Sequence, residues 1–364
     1  MRSDMSSIKR SIKIFVYLIY TSLSVILLTE FIGFFVFDNR YNWDLRYLYY
    51  SKNPIVNEFS TSKAFWKYQP NSKIRIVAVY QGLLTQTIEY DCAFDTNKFG
   101  FIDTGEISKS VDFLVLGDSY TEGHGGCPWL IEDTILEDEH LAEFKILNGG
   151  LQGSGILKFE QVLEYFSSKV TIENLIIIAI SNDFKRGDAY AWNIEGECYL
   201  NGSCIDKNDY WYYLQNDISR PEIKNTSRQR HKERDIPRKE LWLRASFTYQ
   251  VFSEYRTVLD NILSNSSLIE TELDVAVYQE NFEALDRIKY RFPKLKVILV
   301  PQRDEVGVLG VKNLDSLAVE RYLEENMYQF SWCELTSRDY MPADGHPNGL
   351  GYKKLFKCLK ENIL

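Results

Sequence analysis

From Val111 onward, short apolar runs that end in glycine or polar residues alternate with amphipathic segments, and this alternation limits the possible folds sharply. It predicts strands in VDFLVLG, FKILNGG, NLIIIAIS, KVILVPQ and YQFSWCEL, and a final helix in GLGYKKLFKCLKENIL. Further helices are predicted near Gln161–Ser167, Val277–Phe292 and Asp315–Glu325. Such alternation is typical of a parallel sheet covered by helices on both faces. We therefore predict one α/β domain with a five-stranded parallel sheet over residues 111–364.

The N-terminus is different in kind, because residues 14–37 form a nearly unbroken apolar run. At about 1.5 Å per helical residue, this run can cross a hydrocarbon core about 30 Å thick. Four basic residues precede it and Asp38 follows it, so the positive-inside tendency predicts a cytoplasmic N-terminus and a periplasmic or extracellular body. A cleaved signal peptide is the alternative, but the run exceeds the usual length and no small-residue cleavage motif closes it. We expect a single-pass anchor over residues 14–37.

Two more segments complete the expected organisation. Residues 1–39 hold the cytoplasmic tip and anchor, and residues 40–110 form a small β-rich juxtamembrane segment, since KIRIVAVY and QTIEYDCAF carry β-branched and aromatic residues. Residues 185–239 break the α/β rhythm and are too long for a simple connection. We interpret them as an insertion over the C-terminal edge of the sheet. Its aromatic residues form either a local hydrophobic cap or a sugar-stacking platform, and Trp192 is a candidate substrate-pocket residue.

Charge and cysteine content narrow the partners. A net charge of −9 and a sequence pI near 5.2 argue against nucleic acid, whose phosphates require a concentrated basic face. Six cysteines in an exported body can form disulfides, and the turn in CYLNGSC suggests a Cys198–Cys204 bridge, with two free buried thiols as the alternative. No cysteine or histidine cluster has zinc-like spacing, so we expect no metal site.

The stretch FLVLGDSYTEG poses the central question about chemistry. A buried strand ends at Gly117, and Ser119 follows two positions later. In a parallel sheet this presents the serine at the carboxyl edge, where ligands bind. The position also suits a helix N-cap, so the stretch by itself leaves two readings of Ser119, a nucleophile or a cap.

The C-terminal stretch MPADGHPNGLGY favours the first reading. Asp344 and His346 lie in a turn-rich loop before the last helix, and His346 is one of four histidines. Acyl transfer through serine requires a base for the hydroxyl proton and a carboxylate that orients the base.

Two further strand ends complete the predicted cluster. NGGLQGSG places Gly153 after the second strand, where a backbone N–H can approach a ligand closely, and SNDF places the Asn182 amide after the third. Both groups could stabilise an oxyanion. Because carboxyl ends of parallel strands lie together, we expect Ser119, Gly153, Asn182 and the His346 loop to be neighbours.

In this order the stretches GDSYTEG, NGGLQGSG, SNDF and DGHPNG resemble the four blocks of the SGNH (GDSL-type) hydrolase family. The resemblance implies a flavodoxin-like α/β/α sandwich, with Ser119 as nucleophile and His346 as base. It also implies an oxyanion hole made by the Ser119 and Gly153 N–H groups and the Asn182 amide. The upstream TNKFGFID is similar to a segment that precedes the catalytic domain in membrane-anchored bacterial members, which supports the anchor.

The sequence departs from the family pattern at two points. The last block usually reads Asp-x-x-His, whereas here the spacing is Asp344-x-His346, as in members that act on exported polysaccharides. This leaves the orienting role of Asp344 less defined than the role of His346. The third block lacks its usual glycine, since Ala179 or Ile180 stands there, but Asn182 is kept.

Other candidates are weaker. His124 could line the substrate pocket, although a histidine in a glycine-rich loop is more often solvated or packed. Asp118 is expected to tie down the turn, and Asp183 is the fallback carboxylate if Asp344 fails. We interpret Ser154 as structural, because Gln152 replaces the first glycine of a nucleophile elbow, and Cys127 as packed or paired.

The motifs favour a membrane-anchored serine esterase or acyltransferase. Its expected substrates are ester-linked acyl groups, O-acetyl above all, of envelope glycans, and no cofactor is implied. One alternative is a non-catalytic glycan-binding or assembly partner that keeps the fold, although binding alone does not require serine, oxyanion donors and histidine together. A lipase or thioesterase with a long acyl pocket is the other. Oligomeric state, and hydrolysis versus transfer, stay open.

Overall fold

The computed structural model describes residues 2–36, 45–50, 55–59, 64–81, 86–103, 107, 109–124, 138–187, 189–193, 196–199, 204–205, 211–213, 219–233, 248, 275–306, 312–341 and 345–364. Its helices are α1 (Arg2–Val36), α2 (Ser119–Glu122), α3 (Ile156–Ser167), α4 (Arg220–Glu233), α5 (Val275–Arg291), α6 (Leu314–Glu325) and α7 (Gly349–Ile363). Its strands are β1 (Leu45–Tyr50), β2 (Ile55–Phe59), β3 (Ala64–Tyr68), β4 (Lys73–Gln81), β5 (Gln86–Asp95), β6 (Ser110–Gly117), β7 (Ile146–Gly150), β8 (Thr171–Ala179), β9 (Ala189–Asn193), β10 (Gly196–Tyr199), β11 (Cys204–Ile205), β12 (Trp211–Tyr213), β13 (Lys296–Leu299) and β14 (Gln329–Trp332).

A five-stranded parallel sheet forms the centre of the protein, as predicted. Its order is β7-β6-β8-β13-β14, and every neighbouring pair runs parallel. Numbered along the chain, this order is 2-1-3-4-5, the flavodoxin-like arrangement. In that arrangement the direction of winding reverses between the first and third strands, here β6 and β8, and a crevice opens outside their carboxyl ends. The topology alone therefore predicts a ligand site at the end of β6.

Helices cover both faces of this sheet, because the strands are apolar on both sides. One face packs against α3, α5 and α6, and the other against α7 and the turn that contains Leu141. Leu116 and Ile177 face the first layer, while Val115 and Ile178 face the second, as alternation along a strand requires. The α/β/α architecture is thereby confirmed.

The β-rich segment packs on the same face as α3. Strands β1, β4 and β5 form an antiparallel sheet, and β2 and β3 form a hairpin. Tyr68, Ile74 and Ile76 share one hydrophobic cluster with Phe159 and Phe166 of α3. The described part of this segment therefore shares a core with the α/β domain, and the division at residue 110 remains a prediction.

The insertion adds structure to that β-rich segment. Strand β12 pairs in parallel with β1, and β9, β10 and β11 form a separate antiparallel sheet. The Nε2 atom of Gln86 in β5 donates to the carbonyl of Lys224 in α4, and Arg220 pairs with Asp91. The described contacts of β12 and α4 are thus with the β-rich segment. A lid or platform over the sheet edge stays a prediction.

Helix α1 contains a segment, Lys13–Ile32, that is long and apolar enough to cross a membrane, and none of it is buried within the protein. A signal sequence near an N-terminus can also meet this criterion of length and composition. The carboxylate of Glu30 accepts a hydrogen bond of 3.0 Å from the backbone N–H of Thr248.

Disulfides occur in the described part of the chain. Cys333, just after β14, is bonded to Cys358 in α7, and Cys92 in β5 is also disulfide-bonded. Cys198 and Cys204 lie directly opposite each other in the β10–β11 pair. Their predicted bridge remains a prediction, because their side chains fall outside the described set. Cys127 also lies outside the described residues.

Candidate active site

Ser119 occupies a sharp turn at the carboxyl end of β6. The strand stops at Gly117, and Asp118 is the N-cap of α2, since its Oδ1 atom accepts a 2.9 Å hydrogen bond from the Tyr120 N–H. The alternative reading of Ser119 as the N-cap is therefore wrong. Ser119 is the first helical residue, and its side chain is largely buried.

His346 reaches the same point from the loop before α7. Its carbonyl accepts a 2.8 Å hydrogen bond from the Met341 N–H, and the Tyr120 hydroxyl donates to the carbonyl of Gly345 over 2.9 Å. Asn348 caps α7 and fixes where the loop ends. This framework brings His346 Nε2 to 2.8 Å from Ser119 Oγ. Asp344 lies outside the described residues.

The loop after β7 is joined to the serine turn at several points. The Leu151 N–H donates to the carbonyl of Gly117 over 2.9 Å, and Asn148 Nδ2 donates to the carbonyl of Thr121 over the same distance. A Cβ at Gly150 would lie 2.5 Å from the Glu122 backbone nitrogen, so a glycine is required for this close approach. The loop and the turn therefore form one unit.

Gly153 lies at the tip of that loop. The Ser154 N–H donates to the carbonyl of Leu151 over 3.1 Å, which closes a β-turn with Gln152 and Gly153 at its centre. Gly153 has a φ of 69° and is exposed, whereas Gln152 and Ser154 are buried. One exposed residue thus lies between buried neighbours at the strand edge.

Asn182 follows β8 in a short 3-10 turn, Ser181–Phe184, and is exposed. Strand β6 lies between β7 and β8, and Gly117 is in register with Gly150 on one side and Ile178 on the other. The segments that carry Ser119, Gly153 and Asn182 therefore all leave the sheet at one edge, as the sequence predicted.

Asp183 is engaged away from His346. Its Oδ2 atom accepts a 3.0 Å hydrogen bond from the Ile180 N–H, and its Oδ1 atom lies 2.8 Å from Arg186 Nη1. Burial raises the pKa of the Asp183 carboxyl well above its usual range, and the charge of Asp118 adds to this effect while that of Arg186 opposes it. These partners do not suit the fallback role of orienting His346.

Arg186 connects all three strand ends. Its Nη1 atom lies 3.2 Å from Asp118 Oδ2 and also donates to the carbonyl of Ser154. Burial opposes the guanidinium charge, but Asp183 and Asp118 outweigh it and raise the pKa of Arg186. One cation therefore holds two buried carboxylates beside Ser119.

His124 is packed against the candidate base. Its ring centroid lies 5.5 Å from that of His346, and its Nε2 atom lies 3.2 Å from Glu122 Oε2. The Tyr352 hydroxyl donates to the His124 carbonyl over 2.7 Å. His124 is buried, so its ring is packed inside the protein and is not solvated. Trp192 belongs to β9, but its side chain lies outside the described set.

Four more residues contact the loops of this site, although the sequence motifs did not indicate them: Tyr68, Glu122, Gln152 and Arg186. The spacing of Asp183 and Arg186 at i and i+3 was a usable signal for an ion pair. Tyr68 gives no signal, because it meets Gln152 across 84 positions of sequence.

The described geometry is suited to nucleophilic chemistry. A hydroxyl within hydrogen-bond distance of an imidazole nitrogen can lose its proton to that nitrogen as it attacks an electrophilic carbon. The turn keeps Ser119 at the sheet edge, and the loops after β7 and β8 bring Gly153 and Asn182 to the same edge. No group of metal-binding residues was found in the described part of the chain.

No family model matches the chain, and no curated protein matches it. Among solved structures it is similar to a gut microbial diltiazem-metabolizing enzyme, with 12% identity, a TM-score of 0.32 and coverage of 71% of this chain and 48% of that chain. It is also similar to a carbohydrate esterase family 2 enzyme with a carbohydrate binding domain from Corynascus thermopiles (Myceliophthora fergusii). Here the identity is 11% and the TM-score is 0.32, and the match covers 88% of this chain and 87% of that chain. A third similar structure is an acetyl xylan esterase from the rumen bacterium Butyrivibrio proteoclasticus. Its identity is 8% and its TM-score is 0.32, and the match covers 88% of this chain and 87% of that chain.

The chain spans about half the length of the first of these structures. The strand order 2-1-3-4-5 defines the fold, and the pair of Ser119 and His346 defines the candidate site.

Proposed function

We propose that the protein is a serine esterase or acyltransferase that works through an acyl–Ser119 intermediate. The observation that carries this proposal is the 2.8 Å distance between Ser119 Oγ and His346 Nε2 at the switch point of a parallel sheet. A pair at this distance and place is the arrangement that acyl transfer requires.

In the first half-reaction, Ser119 Oγ attacks the carbonyl carbon of the ester while its proton passes to His346 Nε2. The tetrahedral intermediate collapses, the ester C–O bond breaks, and the departing alkoxide takes the proton from His346. In the second half-reaction, His346 accepts a proton from water or from an acceptor hydroxyl, whose oxygen attacks the acyl carbon. The bond between the acyl carbon and Ser119 Oγ then breaks, and Oγ takes the proton back from His346. Water gives a free acid, and a sugar hydroxyl gives a transferred ester. Asp344 would orient His346 in both steps.

The oxyanion of each tetrahedral intermediate would be held by the N–H groups of Ser119 and Gly153 and by the Asn182 amide. The shared sheet edge of these three residues supports this role, as do the exposure of Gly153 and of Asn182 beside buried neighbours. Donors fixed in place before reaction lower the barrier because they need no reorganisation.

We further propose that α1 is an uncleaved anchor and that the body lies on the periplasmic or extracellular side. Helix α1 has the required length, and basic residues precede the apolar run. The Cys333–Cys358 disulfide supports an oxidising compartment. An enzyme held in this place would meet envelope glycans, and their O-acetyl groups are the substrate class that we propose.

Ester turnover tests the chemistry. The full-length protein in detergent should hydrolyse nitrophenyl acetate, and the Ser119→Ala variant should lose that activity by about six orders of magnitude. The matched control is Ser168→Ala, an exposed serine at the end of α3. Preference for long-chain nitrophenyl esters would favour a lipase or thioesterase. No turnover of any ester by folded protein that still binds glycan would favour a binding partner.

A further inference from the structure

Gln152 is held at two separate points beside the proposed oxyanion donor. Its backbone N–H donates to Glu122 Oε2 over 3.0 Å, and its side-chain Nε2 donates to the Tyr68 hydroxyl over 2.8 Å. All three side chains are buried. We call this arrangement of Tyr68, Glu122 and Gln152 the brace.

The brace acts on the peptide that carries the Gly153 N–H. A peptide unit is planar from one Cα to the next, so the orientation of this N–H is set by the plane that begins at the Gln152 Cα. The same peptide is the central one of the turn from Leu151 to Ser154. Type I and type II turns differ by a flip of that central peptide, and glycine at the third position permits both. A flip would turn the Gly153 N–H away from an oxyanion.

Tyr68 is itself fixed by the β-rich segment. Its N–H donates to the carbonyl of Gly100 over 3.0 Å, and the Gly100 N–H donates to the carbonyl of Asn97 over 3.0 Å. The ring of Phe101 packs 4.7 Å from that of Phe166 in α3, measured between centroids. The NKFGF turn is therefore docked on the α/β domain, and it places Tyr68 at Gln152.

We propose that Tyr68 and Glu122 are positioning residues that keep the Gly153 N–H in the orientation that stabilises an oxyanion. This inference rests on the proposed function and extends the site into the β-rich segment. Neither side chain needs to touch substrate, since each acts through Gln152.

A merely structural role for the brace predicts a different result from a positioning role. Replacing both partners of a buried hydrogen bond by apolar groups of similar shape can be nearly neutral for stability. The double variant Tyr68→Phe/Gln152→Met should therefore unfold close to the wild-type temperature. If the brace positions the Gly153 peptide, the same variant should still be catalytically impaired.

The test compares Tyr68→Phe, Gln152→Met and the double variant as full-length proteins, with nitrophenyl acetate as substrate. Tyr165→Phe is the matched control, because it removes another hydroxyl from the same hydrophobic region, one that accepts a hydrogen bond from Lys67. Fluorophosphonate labelling to completion counts the competent sites, so that kcat is expressed per competent site.

We expect each brace variant to lose about ten- to a hundredfold in kcat with little change in KM, because an oxyanion donor acts in the transition state. The double variant should be no worse than the single variants, since all three break one unit. Wild-type kcat in Gln152→Met, or an equal loss in Tyr165→Phe, would overturn the inference. Wild-type protein that neither labels nor turns over ester would instead contradict the proposed function.

Discussion

Ser119 Oγ and His346 Nε2 lie 2.8 Å apart although 227 positions separate them in the sequence. The contact joins the first strand end of the sheet to the loop before the last helix, so the whole domain must fold before it forms. The same edge carries the loops after β7 and β8. Chemistry at this point therefore depends on how firmly those loops are held.

Asn182 is predicted to act in the transition state. The Asn182→Ala variant should lose about a hundred- to a thousandfold in kcat with little change in KM, as expected for removal of one oxyanion donor. Steady-state kinetics on nitrophenyl acetate measures both constants. Asn182 is exposed, so the unfolding temperature should stay near that of the wild type. A rise in KM at constant kcat would contradict this role.

Arg186 is predicted to stabilise the fold by holding Asp118 and Asp183. Both carboxylates are buried, so Arg186→Met should cost about 3 kcal/mol in the free energy of unfolding at pH 7, measured in urea. Adding Asp183→Asn to this variant should recover part of the loss, since one of the two uncompensated charges is then removed.

The pH dependence of that variant follows from the raised pKa of Asp183. A carboxyl with a pKa raised by folding binds its proton more tightly in the folded state, so stability increases as the pH falls through the folded pKa. Without the charge of Arg186, the pKa of Asp183 should be higher still, so the gain in stability on lowering the pH should be larger. The stability gap between wild type and Arg186→Met should therefore narrow from pH 8 to pH 5, and a constant gap would contradict the account.

Gly100 is predicted to tolerate no side chain. It has a φ of 84°, and a Cβ would lie 2.2 Å from the Tyr68 carbonyl oxygen. Gly100→Ala should therefore destabilise the protein by at least about 1–2 kcal/mol and also lower kcat by displacing Tyr68. The control is Gly345→Ala, which introduces backbone strain without a steric clash. Gly345 has a φ of 78°, but a Cβ there would lie 3.8 Å from the nearest atom. Equal destabilisation by the two changes would contradict a clash at Gly100.

The N-terminal helix is predicted to remain attached and to anchor the protein. Full-length protein with a C-terminal tag should appear in the membrane fraction, resist carbonate extraction, and keep the combined mass of the 364-residue chain and the tag. A soluble product shortened by the apolar segment would show that residues 14–37 are a cleaved signal peptide.

The sequence predicted the central sheet because most of its strands are apolar runs with a clear end, although β14 (Gln329–Trp332) alternates polar and aromatic residues. Boundaries were less accurate where a turn precedes a strand. Phe144 was included in the second strand, but its N–H bonds to the Leu141 carbonyl in a turn, and β7 begins at Ile146. Local pattern predicts which residues are apolar, and the hydrogen bonds of the turn decide where a strand starts.

Contacts between distant segments could not be predicted in this way. The run DYWYYLQ was interpreted as a cap or platform, and its Trp211–Tyr213 part is a strand beside β1. Likewise, nothing in the periodicity of β3 indicates that Tyr68 bonds to Gln152. Pairing partners depend on the folded topology, whereas the four blocks at the strand ends could be found because parallel strands bring their carboxyl ends together.

The most direct test of the central claim is covalent labelling of the nucleophile. The full-length protein is incubated with a fluorophosphonate, and the modified residue is identified by peptide mass mapping, with a folded His346→Ala variant as control. We predict labelling at Ser119 in the wild type and its loss in the variant, because the hydroxyl needs the imidazole to accept its proton. Labelling at another residue, or equal labelling in His346→Ala, would contradict the account.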